Sequence, residues 1–166
     1  MPARHAFALL NRLFPAEEAH AHCDIPCGIY DPHLAQVAAL TCIRMNQLIE
    51  ALEPGKEKAD WDKYMHQLSR YTATKEHHAE LVKAEVRIIW GDFFKPDNSP
   101  SGLAELVDSI MKTASRSRQN VDAAAAQQLL DQVNQFAEAF WKAKNVATKK
   151  QSSNQAAGGE YVVPAN

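Results

Sequence analysis

Apolar residues return every three or four positions in four separate stretches of this chain, and hardly any stretch alternates with the period of two expected of a strand. Leu34, Val37, Ala38, Thr41, Met45, Leu48, Ile49 and Leu52 form the first series. Asp31-Pro32 ahead of it reads as an N-cap followed by proline at the first helical position, and Pro54-Gly55 behind it as a stop. The second series runs roughly from Asp60 to Phe94, with Trp61, Tyr64, Met65, Leu68, Thr72, Val82, Val86, Ile89 and Phe93 on one stripe. Pro96, Asn98 and Pro100 make the next break. Leu103, Leu106, Val107, Ile110, Met111 and Ala114 give a third amphipathic helix. The pattern lapses at Ser115–Asn120, where Asn120 is expected to cap a fourth helix carrying Ala126, Leu129, Leu130, Val133, Phe136, Ala137, Phe140 and Trp141 inward. The spacing therefore predicts an all-α fold, an antiparallel up-and-down four-helix bundle over residues 32–147. Past Lys144 the chain turns to Gln, Ser, Asn, Ala and Gly, and residues 148–166 are expected to form a disordered tail.

Composition narrows the class. The chain has 166 residues, 46% hydrophobic and 23% charged, which suits one domain with one core. No apolar run approaches the roughly 18 residues of a membrane span. A net charge of -2 offers no basic footprint for nucleic acid. Three cysteines, Cys23, Cys27 and Cys42, are too few for a disulfide scaffold and point to a reducing compartment, the cytoplasm. Cys42 falls among apolar positions of the first helix and is expected to be a buried, inert thiol.

Residues 1–21 differ from the rest. Arg4 and Arg12 flank a short apolar patch, Ala6–Leu10, and the segment ends Ala19-His20-Ala21, an A-x-A pattern accepted by signal-peptidase-like proteases. The patch is shorter than the roughly 7–15 residues of an export signal, so the segment reads as a propeptide cut after Ala21 by a maturation protease. Removing it deletes two arginines and two glutamates and leaves the charge at -2.

The chemistry lies in the next string, His22-Cys23-Asp24-Ile25-Pro26-Cys27-Gly28-Ile29-Tyr30-Asp31-Pro32. Cleavage before His22 frees an α-amine beside an imidazole. The amine and the Cys23 amide nitrogen can close one chelate ring on a metal, and the same nitrogen with the Cys23 sulfur a second. Cys27 can return as another thiolate across a turn aided by Pro26 and Gly28. Two nitrogens and two sulfurs in a plane, with the imidazole free to bind axially, suit nickel or copper better than zinc, which prefers tetrahedral sites. Thiolate and amidate donation can also bring a nickel(III)/nickel(II) couple into a usable range.

That string resembles the nickel hook of the nickel superoxide dismutases. The resemblance continues in Trp90-Gly91-Asp92-Phe93-Phe94-Lys95-Pro96 and in Phe140-Trp141, covering about residues 22–145. It implies a hexamer of four-helix bundles, each with an N-terminal metal-binding hook over residues 22–31 holding one nickel ion per subunit. The metal ligands would be His22 through amine and imidazole, Cys23 through amide and sulfur, and Cys27 through sulfur. Tyr30 would stand over the open face and order substrate or water, and Asp24 would hold the hook's shape. The implied reaction turns superoxide into dioxygen and hydrogen peroxide. Two positions depart from the family's pattern. An acidic residue seventeen places into the mature chain, which supports the axial histidine, is replaced by Ala38. The arginine behind it corresponds to His78. Both changes bear on ligand basicity and orientation.

Other readings of the same residues are a thiol redox protein using Cys23 and Cys27, and a helical protein that sequesters zinc or nickel. The cysteine spacing is not C-x-x-C and no βαβ pattern accompanies it. A di-iron bundle needs Glu-x-x-His on two helices, and none occurs here. Tyr30 can equally pack beneath the loop. His77 and His78, near Glu76 and Glu80, read as a solvated helix face, and Trp61, Trp90 and Trp141 as core or subunit-contact residues.

Overall fold

The computed structural model of the chain describes residues 28–165. Four helices follow one another: α1 (His33–Glu50), α2 (Lys58–Ile88), α3 (Leu103–Gln119) and α4 (Ala123–Ala143). Each packs on the next, and α1 closes the ring against α4, so the order round the bundle is the order in the chain. With short connections this gives the antiparallel up-and-down bundle predicted from the periodicity. No helix among the described residues is long and apolar enough to cross a membrane.

The first helix starts as expected. Pro32 sits at the N-cap with near-helical angles (φ -72°, ψ -4°), its carbonyl accepting the Gln36 N–H, and a capping side chain comes from the residue before it, Asp31. Its Oδ1 accepts the His33 N–H at 2.8 Å. The buried face, however, is turned from the predicted one. Ala35, Ala38, Ala39 and Cys42 are fully buried, Val37, Thr41 and Met45 lie on the shoulders, and Leu34 is 47% exposed. Small side chains sit where α1 meets α2 and α4, because only they let the backbones approach, and the larger ones fill the flanks.

In α2 the predicted stripe splits in two. Val82, Val86 and Ile89 are buried, but Trp61 is 47% and Met65 56% exposed. The reason is length. α2 has 31 residues against 17 in α3, and the end of α3 is level with Lys75 and Glu80, which meet Asn120 and Arg118. The first half of α2 therefore outruns α3. At its other end α2 widens into a π turn, Ile89–Phe93. The extra residue in such a turn rotates the next side chains round the axis. Phe93 and Phe94 then both meet the core, Phe93 partly buried and Phe94 6% exposed.

Helix α3 continues to Gln119, past the predicted lapse, and Asn120 does not cap α4. Asp122 does so: its Oδ1 accepts the Ala125 N–H at 2.8 Å, and its other oxygen takes the Arg116 guanidinium at 2.6 Å. These two contacts, the Ala125 N–H first, hold its carboxyl below the usual carboxylate range. Asn120 instead closes α3, donating to the Arg116 carbonyl, while its own carbonyl accepts the ammonium of the buried Lys75.

The expected disordered tail is a correction. Residues 148–164 form a hairpin, β1 (Thr148–Ser152) antiparallel to β2 (Glu160–Pro164), in the register Thr148↔Pro164 to Ser152↔Glu160. Val162 is buried, and Gln36 donates to its carbonyl at 3.1 Å. Gly158 and Gly159 turn the chain at φ +75° and +80°. A polar, low-complexity composition is a poor guide here because the order comes from backbone pairing and from contacts with α1 and α4, which composition does not show.

Gly159 gives a direct check. A Cβ there would lie 2.8 Å from the Leu40 Cδ2 and 3.0 Å from the Leu130 Cδ2, and both leucines are buried. With φ positive as well, Gly159→Ala is predicted to cost about 1–3 kcal/mol, read as a lower urea midpoint at unchanged slope.

Candidate metal centre

His22, Cys23, Asp24 and Cys27, the residues read from the sequence as the metal-binding hook, lie outside the described residues, as do the propeptide and its cut site. Their fit to a metal rests on donor chemistry: an amine, if the chain is cut before His22, with an amidate and two thiolates would suit nickel or copper better than zinc, which prefers tetrahedral sites. Among the described residues no group of three or more His, Cys, Asp or Glu is placed to hold a metal ion.

What the structure does place is the junction between that segment and the bundle. Gly28, immediately after Cys27, sits at φ +70° with open space around it, so backbone conformation rather than room selects glycine. Two residues on, Tyr30 is half-buried against the core, its ring centroid 6.1 Å from that of Phe93 at a tilt of 56°. Asp31 then caps α1. The chain thus enters the helix between a half-buried ring and the Asp31 carboxylate.

Phe93 is the centre of a larger cluster. Its ring lies 4.6 Å from Phe140 and 5.0 Å from Phe94, and Phe140 lies 5.0 Å from Trp141. Tilted and edge-on rings at these separations are favourable arrangements. The Lys144 ammonium stands 5.4 Å from the Phe140 centroid and 5.7 Å from that of Trp141. Three segments singled out in the sequence, the one ending at Tyr30, the Trp90–Pro96 run and Phe140-Trp141, therefore meet at one end of the bundle. Their wide separation along the chain gave no sign of this contact.

Ala38 and His78, the two positions read from the sequence as departing from the family pattern, both lie among the described residues. Ala38 is fully buried and offers no hydrogen-bonding side chain. His78 donates from Nδ1 to the Thr74 carbonyl at 2.8 Å, one turn back on its own helix. His77 is exposed, as a solvated face requires. Trp61 and Trp90 are 47% and 42% exposed and Trp141 packs on the core. Buried polar residues were not legible in advance: Gln36, Asn46, Lys75 and Asn134 all lie inside, each bonded to a distant part of the chain.

Comparison with known proteins bears on the same segments. Residues 17–144 match the family model of nickel-containing superoxide dismutase. The nickel superoxide dismutase of Streptomyces seoulensis is 35% identical over 139 residues, spanning 82% of this chain and 98% of that one. Among solved structures, a nickel superoxide dismutase variant with its ninth residue changed from tyrosine to phenylalanine superposes at a TM-score of 0.64. It has 31% identity and covers 75% of this chain and 99% of its own. A variant whose first residue, a histidine, is changed to alanine gives 0.61 at 29% identity, over 70% and 99%.

Cys42 is separate from this end of the molecule. It is fully buried, its sulfur 3.7 Å from the Lys75 carbonyl, and burial pushes its thiol up to about 12, more than Lys75 and Ser117 pull it down. The unfolded thiol ionises at 9.0 and the folded one only near 12, so this residue's contribution to stability falls as pH rises above about 9. In a Cys23→Ser, Cys27→Ser chain, Cys42 is predicted to be silent to a disulfide reagent at pH 8 and to titrate as one thiol after unfolding.

Proposed function

The chain belongs to the nickel-containing superoxide dismutase family, and we propose from that premise that, once cut before His22, it converts superoxide to dioxygen and hydrogen peroxide with one nickel ion per subunit. The balance is two superoxide anions and two protons in, one dioxygen and one peroxide out. The observation that carries the reading is the string His22-Cys23-Asp24-Ile25-Pro26-Cys27, ending in the junction at Tyr30 and Asp31. Counting from His22 makes the histidine first and Tyr30 ninth, the numbering of the relatives whose first and ninth residues were altered.

His22 would hold the metal through its amine and imidazole, Cys23 through its amide nitrogen and sulfur, and Cys27 through its sulfur. Bound there, nickel supplies a one-electron couple between its trivalent and divalent states. The protein's own part is positional. Gly28 reverses the backbone behind Cys27, Tyr30 anchors on Phe93 and orders the incoming anion or a water, and Asp24 holds the turn. Steering of the anion cannot come from a net charge of -2. Lys144, held over Phe140 and Trp141, provides positive charge at this end of the bundle. With Ala38 and His78 where the resemblance implies an acidic and a basic residue, the His22 imidazole would work with a different support. A cytoplasmic homohexamer completes the reading, on family likeness and the reducing setting that two free thiols need.

Three proteins test it: the chain from Met1, from Ala21 and from His22. Only the last is predicted to bind about one nickel per subunit and to dismutate superoxide, because a single residue ahead of His22 turns the amine into an amide. Equal activity in the chain from Ala21 would overturn the reading. Cys23→Ser or Cys27→Ser in the His22 protein is predicted to bring dismutation to background while far-UV circular dichroism stays unchanged. Zinc in place of nickel, or thiol exchange without metal, would favour the other readings of the two cysteines.

A further inference from the structure

The hairpin β1–β2 lies after residue 144, where the family match ends. We propose that it is a clamp on the start of α1, with Tyr161 as a positioning residue that steadies the segment leading out of the hook; the metal-retention part of this rests on the nickel reading above.

The contacts fall in one place. Tyr161 meets the His33 ring edge-on, with centroids 4.9 Å apart. One turn on, Gln36 donates both to the Val162 carbonyl at 3.1 Å and to the Asn134 Oδ1 at 3.0 Å, and Asn134 donates to the Glu160 carbonyl at 2.9 Å. Gly159 then presses on Leu40. Residues 33, 36 and 40 are one face of the first two turns of α1. A cleft of about 420 Å³ runs beside these contacts, from His33 and Tyr161 past Leu40 to Arg44 and Ala156, and Gln47 donates to the Ala157 carbonyl beyond it.

Those two turns need an outside hold. Helix ends fray because their first N–H groups lack partners. Ile29, Asp31, His33 and Leu34 are exposed, and α1 has no acidic residue in its first turn. Tyr30 and Pro32 are the anchors on the bundle side, and the hairpin supplies those on the other. His33 stands six residues after Cys27, so the clamp grips the helical turn nearest the proposed hook in the chain. The hairpin is poorly suited to recruiting another strand, since Lys149 and Lys150 are exposed on β1 and charges of this kind blunt an edge.

The test uses the chain beginning at His22, with Tyr161→Ala and Tyr161→Phe. In the metal-free protein, hydrogen exchange of the Gln36–Leu40 amides is predicted to speed up in Tyr161→Ala and not in Tyr161→Phe, which keeps the ring on His33. Amides of α3 should be unchanged in both. In the nickel-loaded protein, Tyr161→Ala is predicted to lose metal to a chelator about tenfold faster than wild type, with Tyr161→Phe close to wild type. Unchanged exchange in Tyr161→Ala, or an equal rise in α3, overturns the clamp. Faster exchange with unchanged metal loss overturns its link to the hook. A wild-type chain that takes up no nickel refutes the proposed function instead, and the exchange experiment still decides the clamp.

Discussion

Ala35, Ala38, Ala39 and Cys42 leave α1 with a face so slight that α2 and α4 can close on it, and that close packing fixes the helix from which the proposed metal donors hang. A metal held by a few consecutive residues at a chain end has no scaffold of its own. It borrows one from the helix that comes next. Here the borrowing runs through Asp31, which caps α1, and Tyr30, whose ring rests on Phe93 and through it on Phe140. Large residues at positions 35 or 38 would force the helices apart and shift that entry point, at the usual cost of overpacking.

The same packing surrounds Ala38. Its side chain is buried where the helices meet, and a carboxylate there would need a charged or donating partner. His78 is engaged with Thr74 in its own helix. The second hold proposed for α1 comes from the hairpin, which lies beyond the part of the chain that matches the family.

Much of this was legible in the sequence, unevenly. Helix number, order and approximate ends follow from the apolar period and from Asp31-Pro32 and Pro54-Gly55, because each of these acts locally. The proposed metal donors are read from a nearly contiguous string, which is local in the same way. Which face of α1 is buried was not, because alanine carries little weight in an apolar pattern yet marks the tightest contacts. The exposure of Trp61 and Met65 depends on the length of α3, not on α2. The hairpin was hidden by a polar strand and a glycine-rich turn; Tyr161-Val162-Val163 alone hinted at it, and Val162 is bonded to a residue far away in the chain, Gln36 at a separation of 126. Non-local contacts of this kind leave no trace in a local period.

Everything at the metal end depends on the amine freed at His22 and the sulfurs of Cys23 and Cys27 binding one nickel together. Nickel X-ray absorption on the natural, processed protein reads that directly. Two sulfur neighbours and nitrogens are predicted in the metal's first shell, with the sulfur contribution gone when residue 21 is retained. A shell of nitrogen and oxygen alone, or the same sulfur-rich spectrum from the unprocessed chain, would contradict it.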